Sequence, residues 1–359
     1  MRAWRDLATD DHHRAASAPH PAYAALWAEM RAIGVAPGDP TRMPLTEARA
    51  ANRRYYAVVA GEPPAVAASQ DLTIPGCDGR PLRLRIHRPT LGRDLPVIMY
   101  FHGGGYAVNG LDTHDRLMRE LAIASGRAVV GVGYSLAPEH RFPTQLREAL
   151  VAVDWLARDG ERHGLTGDGY AMAGDSAGAH LALSTALALR DGGRPLPQAL
   201  VLAYGMYHRD LATPSHRLFG EGRHGLTSER MAWFWRHFLP ETWDGVPALV
   251  EPLRADLHGL PPVHLVVAEL DCLRDDSLML KERLLQSGVP VRLDIYPGTL
   301  HSFLQFVRVL SPARAAIADI AGAVRCCPVS DRNDGARPAI GDEETCDERH
   351  CGHRGHGMS

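Results

Sequence analysis

The sequence predicts an α/β fold: a mostly parallel, doubly wound sheet of eight strands, with helices around it and a helical cap. Three observations predict it. From residue 96 onward, five continuous apolar runs alternate with helix-length segments; a Gly-x-Ser-x-Gly pentapeptide sits where one run meets such a segment; and residues 205–260 carry no strand pattern. Continuous apolar runs suit strands buried on both faces, as in a parallel sheet. Strand and helix in alternation imply a doubly wound α/β architecture.

The elements follow in order. Residues 1–65 are rich in Ala, Arg and His, and Pro21–Met30 and Thr46–Val59 space their apolar groups at helical intervals. Two or three helices are expected there, ending at the Glu62-Pro63-Pro64 breaker. Gln70–Ile74 and Leu82–Ile86 then alternate like half-buried antiparallel strands about a turn at Gly76–Gly79. The buried strands come next, at 96–101, 128–132, 170–173, 199–203 and 263–268, with helices at about 113–125, 144–158, 177–190 and 274–287. A last strand at 290–296, a loop at Gly298–Phe303 and a helix near 304–324 complete the pattern. A strandless insertion as long as 205–260, with an aromatic helix at Met231–Phe238, is expected to act as a lid. The expected division is a helical cap segment at 1–65, the α/β domain at 66–324 with a cap insertion at about 205–260, and a disordered polar tail at 325–359. No internal repeat is evident.

Composition narrows the function. The chain has 359 residues, 45% hydrophobic and 23% charged, with a formal net charge of -3. That is an ordinary soluble composition, with no general attraction to nucleic acid or anionic lipid. The first residues lack the apolar stretch of a secretory signal, and no run reaches the roughly 18 apolar residues of a membrane span. A cytoplasmic location is expected. Of six cysteines only Cys77 and Cys272 lie in the body, which is not a disulfide framework. The tail holds Cys326, Cys327, Cys346, His350, Cys351, His353 and His356. Thiolate and imidazole suit zinc, but the spacing matches no structural zinc site. No metal and no cofactor are expected.

The stretch Tyr170–Leu183 reads as strand, sharp turn and helix around Gly174-Asp175-Ser176-Ala177-Gly178. This is the context of a nucleophile elbow, with Ser176 as nucleophile. Gly174 and Gly178 would leave room for strand and helix to cross closely, and the helix N-terminus would favour developing negative charge. The competing reading is a plain turn with a helix-capping serine. Earlier in the chain, Phe101–Tyr106 places His102 and three glycines after an apolar strand. Gly104 and Gly105 are assigned as oxyanion donors together with the Ala177 amide, with Gly103 as a spacer and His102 as a brace. A flexible glycine turn is the alternative there.

An elbow of this kind belongs to the α/β-hydrolase fold, in which an acid and then a histidine follow the serine. Asp271 directly follows the run 263–270, and His301 follows the last strand; 95 residues separate Ser176 from Asp271 and 30 separate Asp271 from His301. Asp275 and Asp276 are rival acids, expected one turn into the next helix. Glu269 is expected to point away from Asp271 if both are still in the strand. Among 19 histidines, His301 stands out by its place between the last strand and last helix. It would act as general base, oriented by Asp271.

Taken together, His102–Gly105, Tyr134–Pro143, Gly174–Gly178, Asp271–Asp275 and His301–Phe303 resemble the hormone-sensitive-lipase family of α/β-hydrolases across roughly residues 70–320. Within it, Tyr204–Tyr207, Leu218–Gly220, Gly225–Thr227 and Tyr296–His301 resemble bacterial acetyl esterases most. The resemblance implies a cap built from the N-terminal helices and the insertion, no metal, and short acyl esters as substrates. Three positions depart from the family: Ala179 stands for a glycine, Cys272 for a proline, and Asp276 for a glutamate. None removes a catalytic group.

The expected activity is a serine carboxylesterase that hydrolyses short-chain acyl esters through an acyl-enzyme. The partner would be a small-molecule ester, and the protein a monomer or homodimer without nucleic acid or membrane span. A longer-chain lipase or an amidase on the same triad, or a non-catalytic ligand-binding protein, is the alternative. The aromatic residues Trp233, Phe234, Trp235 and Phe238 either narrow the acyl pocket or only fasten the cap to the body.

Overall fold

The computed structural model describes residues 18–242 and 247–325. Eight strands form one sheet: β1 (Ala68–Pro75), β2 (Pro81–Arg88), β3 (Leu95–Phe101), β4 (Ala128–Gly133), β5 (Leu165–Asp175), β6 (Ala199–Ala203), β7 (Val263–Leu270) and β8 (Val291–Leu300). Their order is β1-β2-β4-β3-β5-β6-β7-β8. β1 pairs antiparallel with β2, and β2 with β4; every later pair is parallel. The apolar runs explain the order. β4 is buried over all but its last residue and β6 over its whole length, as central strands covered on both faces must be. β1 is mostly exposed and lies at the edge.

The helices are α1 (Ala22–Ala32), α2 (Leu45–Ala60), α3 (Asp115–Ser125), α4 (Thr144–Asp159), α5 (Ala177–Asp191), α6 (Pro214–Phe219), α7 (Ser228–Phe238), α8 (Arg274–Gln286) and α9 (Ser311–Arg325). They pack around the sheet, α3 against α9 and α4 against α5. α5 is buried almost all round, which its Ala- and Leu-rich sequence permits. Among the described residues no helix is long and apolar enough to cross a membrane. Cys326, Cys327 and the Cys346–His356 group of the tail lie outside the described residues.

Three boundaries differ from the sequence reading, each for a local reason. β5 starts at Leu165 because Leu95 and Pro96 of β3 pair with Leu165 and Thr166 before a register shift. The expected loop at Gly298–Phe303 is in part strand. β8 runs to Leu300, which pairs with Leu270 after a register shift between Ala268 and Leu270. Pro297-Gly298 reads as a breaker, yet Gly298 at φ +69° supplies an irregularity that lets the strand resume. The last helix is split into a 3-10 turn at Phe303–Phe306 and α9, because Pro312 starts a helix readily but interrupts one.

This topology sets the place of the chemistry. β5 and β7 flank β6, and β8 lies beyond β7. Their carboxyl ends therefore deliver residues 176, 271 and 301 to one edge of the sheet. β3 lies directly beside β5, with Phe101 opposite Gly174. The glycine loop and the elbow are thus neighbours despite about seventy residues between them.

Candidate active site

Ser176 sits between β5 and α5 with φ 53° and ψ -119°, a backbone state strained for an L residue. The glycines around it make the turn feasible. A Cβ on Gly174 would strike the Gly178 carbonyl, and one on Gly178 would strike the Phe101 carbonyl. The Ser176 amide donates to Ala203 O at 2.8 Å, which fixes the elbow to β6. Its hydroxyl makes no capping bond to α5. It faces His301 instead: His301 Nε2 lies 3.0 Å from Ser176 Oγ.

His301 Nδ1 lies 2.6 Å from Asp271 Oδ2. A carboxylate only accepts, so Nδ1 carries the proton and Nε2 is left to accept from the serine hydroxyl. Asp271 Oδ1 accepts from the Leu273 amide at 3.0 Å, which orients the carboxylate although Cys272 replaces a more rigid residue. Asp271 is 1% exposed and Ser176 5% exposed, so the chain of bonds runs out of water. The ring of Tyr204 meets His301 edge-on at 5.1 Å. The rival acids have other partners. Asp275 Oδ2 accepts from the Ser215 amide and Asp276 Oδ2 from the Tyr207 amide, so both hold the insertion to α8. Glu269 accepts from the Gly298 amide at 2.6 Å and braces the β8 irregularity.

The glycine loop follows β3. Gly104 has φ +125° and Gly105 φ +57°. A Cβ on Gly104 would strike the Val108 carbonyl, and one on Gly105 would enter the Phe234 ring. Both residues line the cavity that contains Ser176 and His301. Ala177 is the first residue of α5, where helix amides have no intrahelical acceptor. His102 is buried with Nδ1 2.9 Å from Gly103 O, and it stacks on Tyr134 at a 4.1 Å centroid distance. Burial, with the neighbouring His114, pulls its pKa down to about 3. It is neutral at working pH and distant in role from proton transfer.

Asp175 was not singled out by sequence reasoning, yet it organises the loop. Its Oδ1 accepts from Gly103 N at 2.8 Å and Tyr100 Oη at 2.7 Å, and His114 Nε2 lies 3.2 Å away. Burial raises its pKa, but the His114 charge and the hydrogen bonds from His114 and Tyr100 outweigh this, and the carboxyl stays below its usual value. Gly103 is more than a spacer: a Cβ there would meet the Asp175 carboxylate. The available signal was a charged residue ending an otherwise apolar strand run.

A cavity of about 410 Å³ opens above Ser176 and His301. Its walls come from α1, α2, the glycine loop and the 222–234 segment, including Trp27, Tyr56, Leu226 and Phe234. Arg49 of α2 ties this roof to the body. It donates to Ala107 O and Ala137 O at 2.8 and 2.9 Å and forks onto Glu139 at 2.7 and 2.8 Å. Phe238 stacks on Tyr106 at 3.9 Å and Trp235 meets His180, so those aromatics fasten α7 to the core. Phe234 alone of the four lines the cavity.

Residues 98–305 match the family model for the alpha/beta hydrolase fold. An acetyl esterase of Salmonella schwarzengrund is 37% identical over 228 residues, which cover 62% of this chain and 70% of that protein. Among solved structures, the hyperthermophilic esterase of the archaeon Pyrobaculum calidifontis superposes with a TM-score of 0.80 at 33% identity, over 86% of this chain and 99% of its own. A thermophilic, thermostable carboxylesterase cloned from a metagenomic library gives a TM-score of 0.76 at 32% identity, over 80% of this chain and 98% of its own.

Proposed function

Because this chain belongs to the α/β-hydrolase family, in its hormone-sensitive-lipase branch, and is a carboxylic ester hydrolase, we propose that it cleaves short-chain acyl esters through an acyl-enzyme on Ser176. The observation that carries the reading is the unbroken chain of bonds Asp271–His301–Ser176, at 2.6 and 3.0 Å.

His301 Nε2 takes the hydroxyl proton as Ser176 Oγ attacks the ester carbonyl carbon. The carbonyl oxygen becomes an oxyanion, which accepts from the amides of Gly104, Gly105 and Ala177. Asp271 stabilises the imidazolium that forms. Collapse breaks the bond to the alkoxy oxygen, which leaves as the alcohol with the proton from His301. Water then enters, gives a proton to His301 and releases the acid, restoring Ser176. Each oxyanion donor contributes about 10²–10³ in turnover.

The short acyl preference draws support from the acetyl-esterase relative and from Phe234, whose ring crowds the glycine loop. We place the enzyme in the cytoplasm, as a monomer or homodimer acting on a small-molecule ester. The unpaired thiols of Cys77 and Cys272 fit a reducing compartment. The test is a series of p-nitrophenyl esters from about two to sixteen carbons, run on wild type and Ser176→Ala. Wild type should peak at the short end and Ser176→Ala should lose essentially all turnover. Full activity in Ser176→Ala would overturn the mechanism, and a peak at long acyl chains would overturn the substrate class.

A further inference from the structure

The cavity over Ser176 has an unbalanced wall. Among the described residues that line it are Arg31, Arg223 and Arg230, and no Asp or Glu. Arg223 is 84% exposed and lies 3.8 Å from Glu221 at the surface, whereas the Arg230 side chain is only 19% exposed. Arg230 lies in the first turn of α7, where its amide donates to Thr227 Oγ1 at 3.0 Å. The backbone at that point is therefore fixed.

The guanidinium is poorly matched within the protein. Asp39 Oδ1 is 3.8 Å from Arg230 Nε, beyond hydrogen-bond distance. That same oxygen already accepts from Thr41 N at 2.9 Å and Thr41 Oγ1 at 2.7 Å. Arg230 Nε is buried and has no hydrogen-bond partner. A buried donor without an acceptor is costly, and a guanidinium fork matches a carboxylate best.

Its position relates it to the chemistry. Arg230 and Phe234 are four residues apart on α7, so they share a helix face about one turn apart. Phe234 rests on Gly105, an assigned oxyanion donor. Tyr56 lines the same cavity, beside Ser302 and His301, and is close enough to feel the Arg230 charge. Arg230 and Ser176 thus line one cavity of about 410 Å³.

We propose that this site favours esters that carry a free carboxylate, with Arg230 pairing that carboxylate and Arg31 and Arg223 attracting it to the cavity. The inference rests on the ester-hydrolase reading and narrows its substrate class. The carboxylate could belong to the acyl half, as in a hemiester of a dicarboxylic acid, or to the alcohol half, as in an acylated hydroxy acid.

Two substrate pairs distinguish these sources. Ethyl hydrogen succinate against diethyl succinate probes the acyl half, and 4-acetoxybenzoate against its methyl ester probes the alcohol half. Each kcat/KM is divided by the ester's hydroxide-catalysed rate, which removes intrinsic reactivity. In wild type, the anionic-to-neutral ratio should exceed one for at least one pair and fall as salt is raised. Arg230→Gln should lower that ratio about tenfold or more, chiefly through KM of the anion, while Arg230→Lys should retain a preference. A ratio at or below one in both pairs, or a ratio that Arg230→Gln leaves unchanged, overturns the proposal. Turnover of the neutral esters in that case leaves the ester-hydrolase reading standing. Failure of wild type on all four esters would count against both.

Discussion

Replacing Asp175 by Asn removes one charge from beneath the glycine loop and keeps the side-chain volume. In the native protein a single oxygen, Asp175 Oδ1, takes Tyr100 Oη at 2.7 Å and Gly103 N at 2.8 Å and faces His114 Nε2 at 3.2 Å. A hydrogen bond to a charged group contributes about 1.5–3 kcal/mol, against about 0.5–1.5 kcal/mol for a neutral one. Each of the three contacts should weaken by about 1 kcal/mol, so the summed loss approaches about 3 kcal/mol. For a chain of 359 residues that lowers Tm by about 4 °C. The kinetic effect comes through Gly103, because the next two residues are the assigned oxyanion donors. Complete loss of one donor lowers turnover by about 10²–10³. Asn still offers a neutral acceptor to Gly103, so a fall in kcat of about ten- to a hundredfold is expected, with KM changed little. Steady-state hydrolysis of p-nitrophenyl butyrate well below the melting temperature, with thermal unfolding in parallel, measures both. If Tm falls as calculated while kcat stays within about twofold, the carboxylate supports the fold and does not place the oxyanion loop.

Arg49→Gln removes the fork that ties α2 to Ala107, Ala137 and Glu139. It should raise KM several-fold and make the α1–α2 segment more sensitive to limited proteolysis; unchanged values of both would show that the roof is held elsewhere. Acid stability depends most on three buried groups, and His216 and His264, also lowered chiefly by burial, add to the side of the histidines. His102 is lowered to about 3 and His180 to about 4, chiefly by burial, so the unfolded chain binds more protons there and stability falls as pH drops below about 6.5. Asp276 is raised to about 6 by burial, so its contribution has the opposite sign and is lost as pH rises through 6. Two histidines against one carboxyl leave about one net proton, or about 1.4 kcal/mol of stability lost per pH unit between roughly 6 and 4. Urea unfolding across that range reads the slope, and a flat profile would contradict it.

The meeting of Ser176, Asp271 and His301 was legible because each follows a recognisable strand and belongs to a chemically demanding type. The glycine loop was legible because consecutive glycines after a strand have few other uses. The contributions of Asp175, Arg49 and Arg230 were not legible. The partners of the first two lie far away in sequence, at Gly103 and Tyr100 and at Ala137 and Glu139, and Arg230 reaches the cavity only through the placement of α7. Charge and residue type alone do not distinguish such arginines from those on a solvated surface. The end of β8 was misread for a related reason: Pro297-Gly298 marks a local break, and only pairing with β7 restores the strand.

Local sequence by itself determined the alternation of buried strands and helices, the turn at Ser176 and the chain order of the three residues that the structure brings together. These depend on hydrophobic period, on glycine's lack of a Cβ and on the carboxyl ends of parallel strands, all written over short stretches. Tertiary structure alone decided which carboxylate meets His301, which one anchors the glycine loop, and what charge the cavity presents. Those outcomes depend on strand order and on burial, which leave two aspartates five residues from Asp271 or nearer bonded to backbone amides and bring Arg230 to the cavity wall.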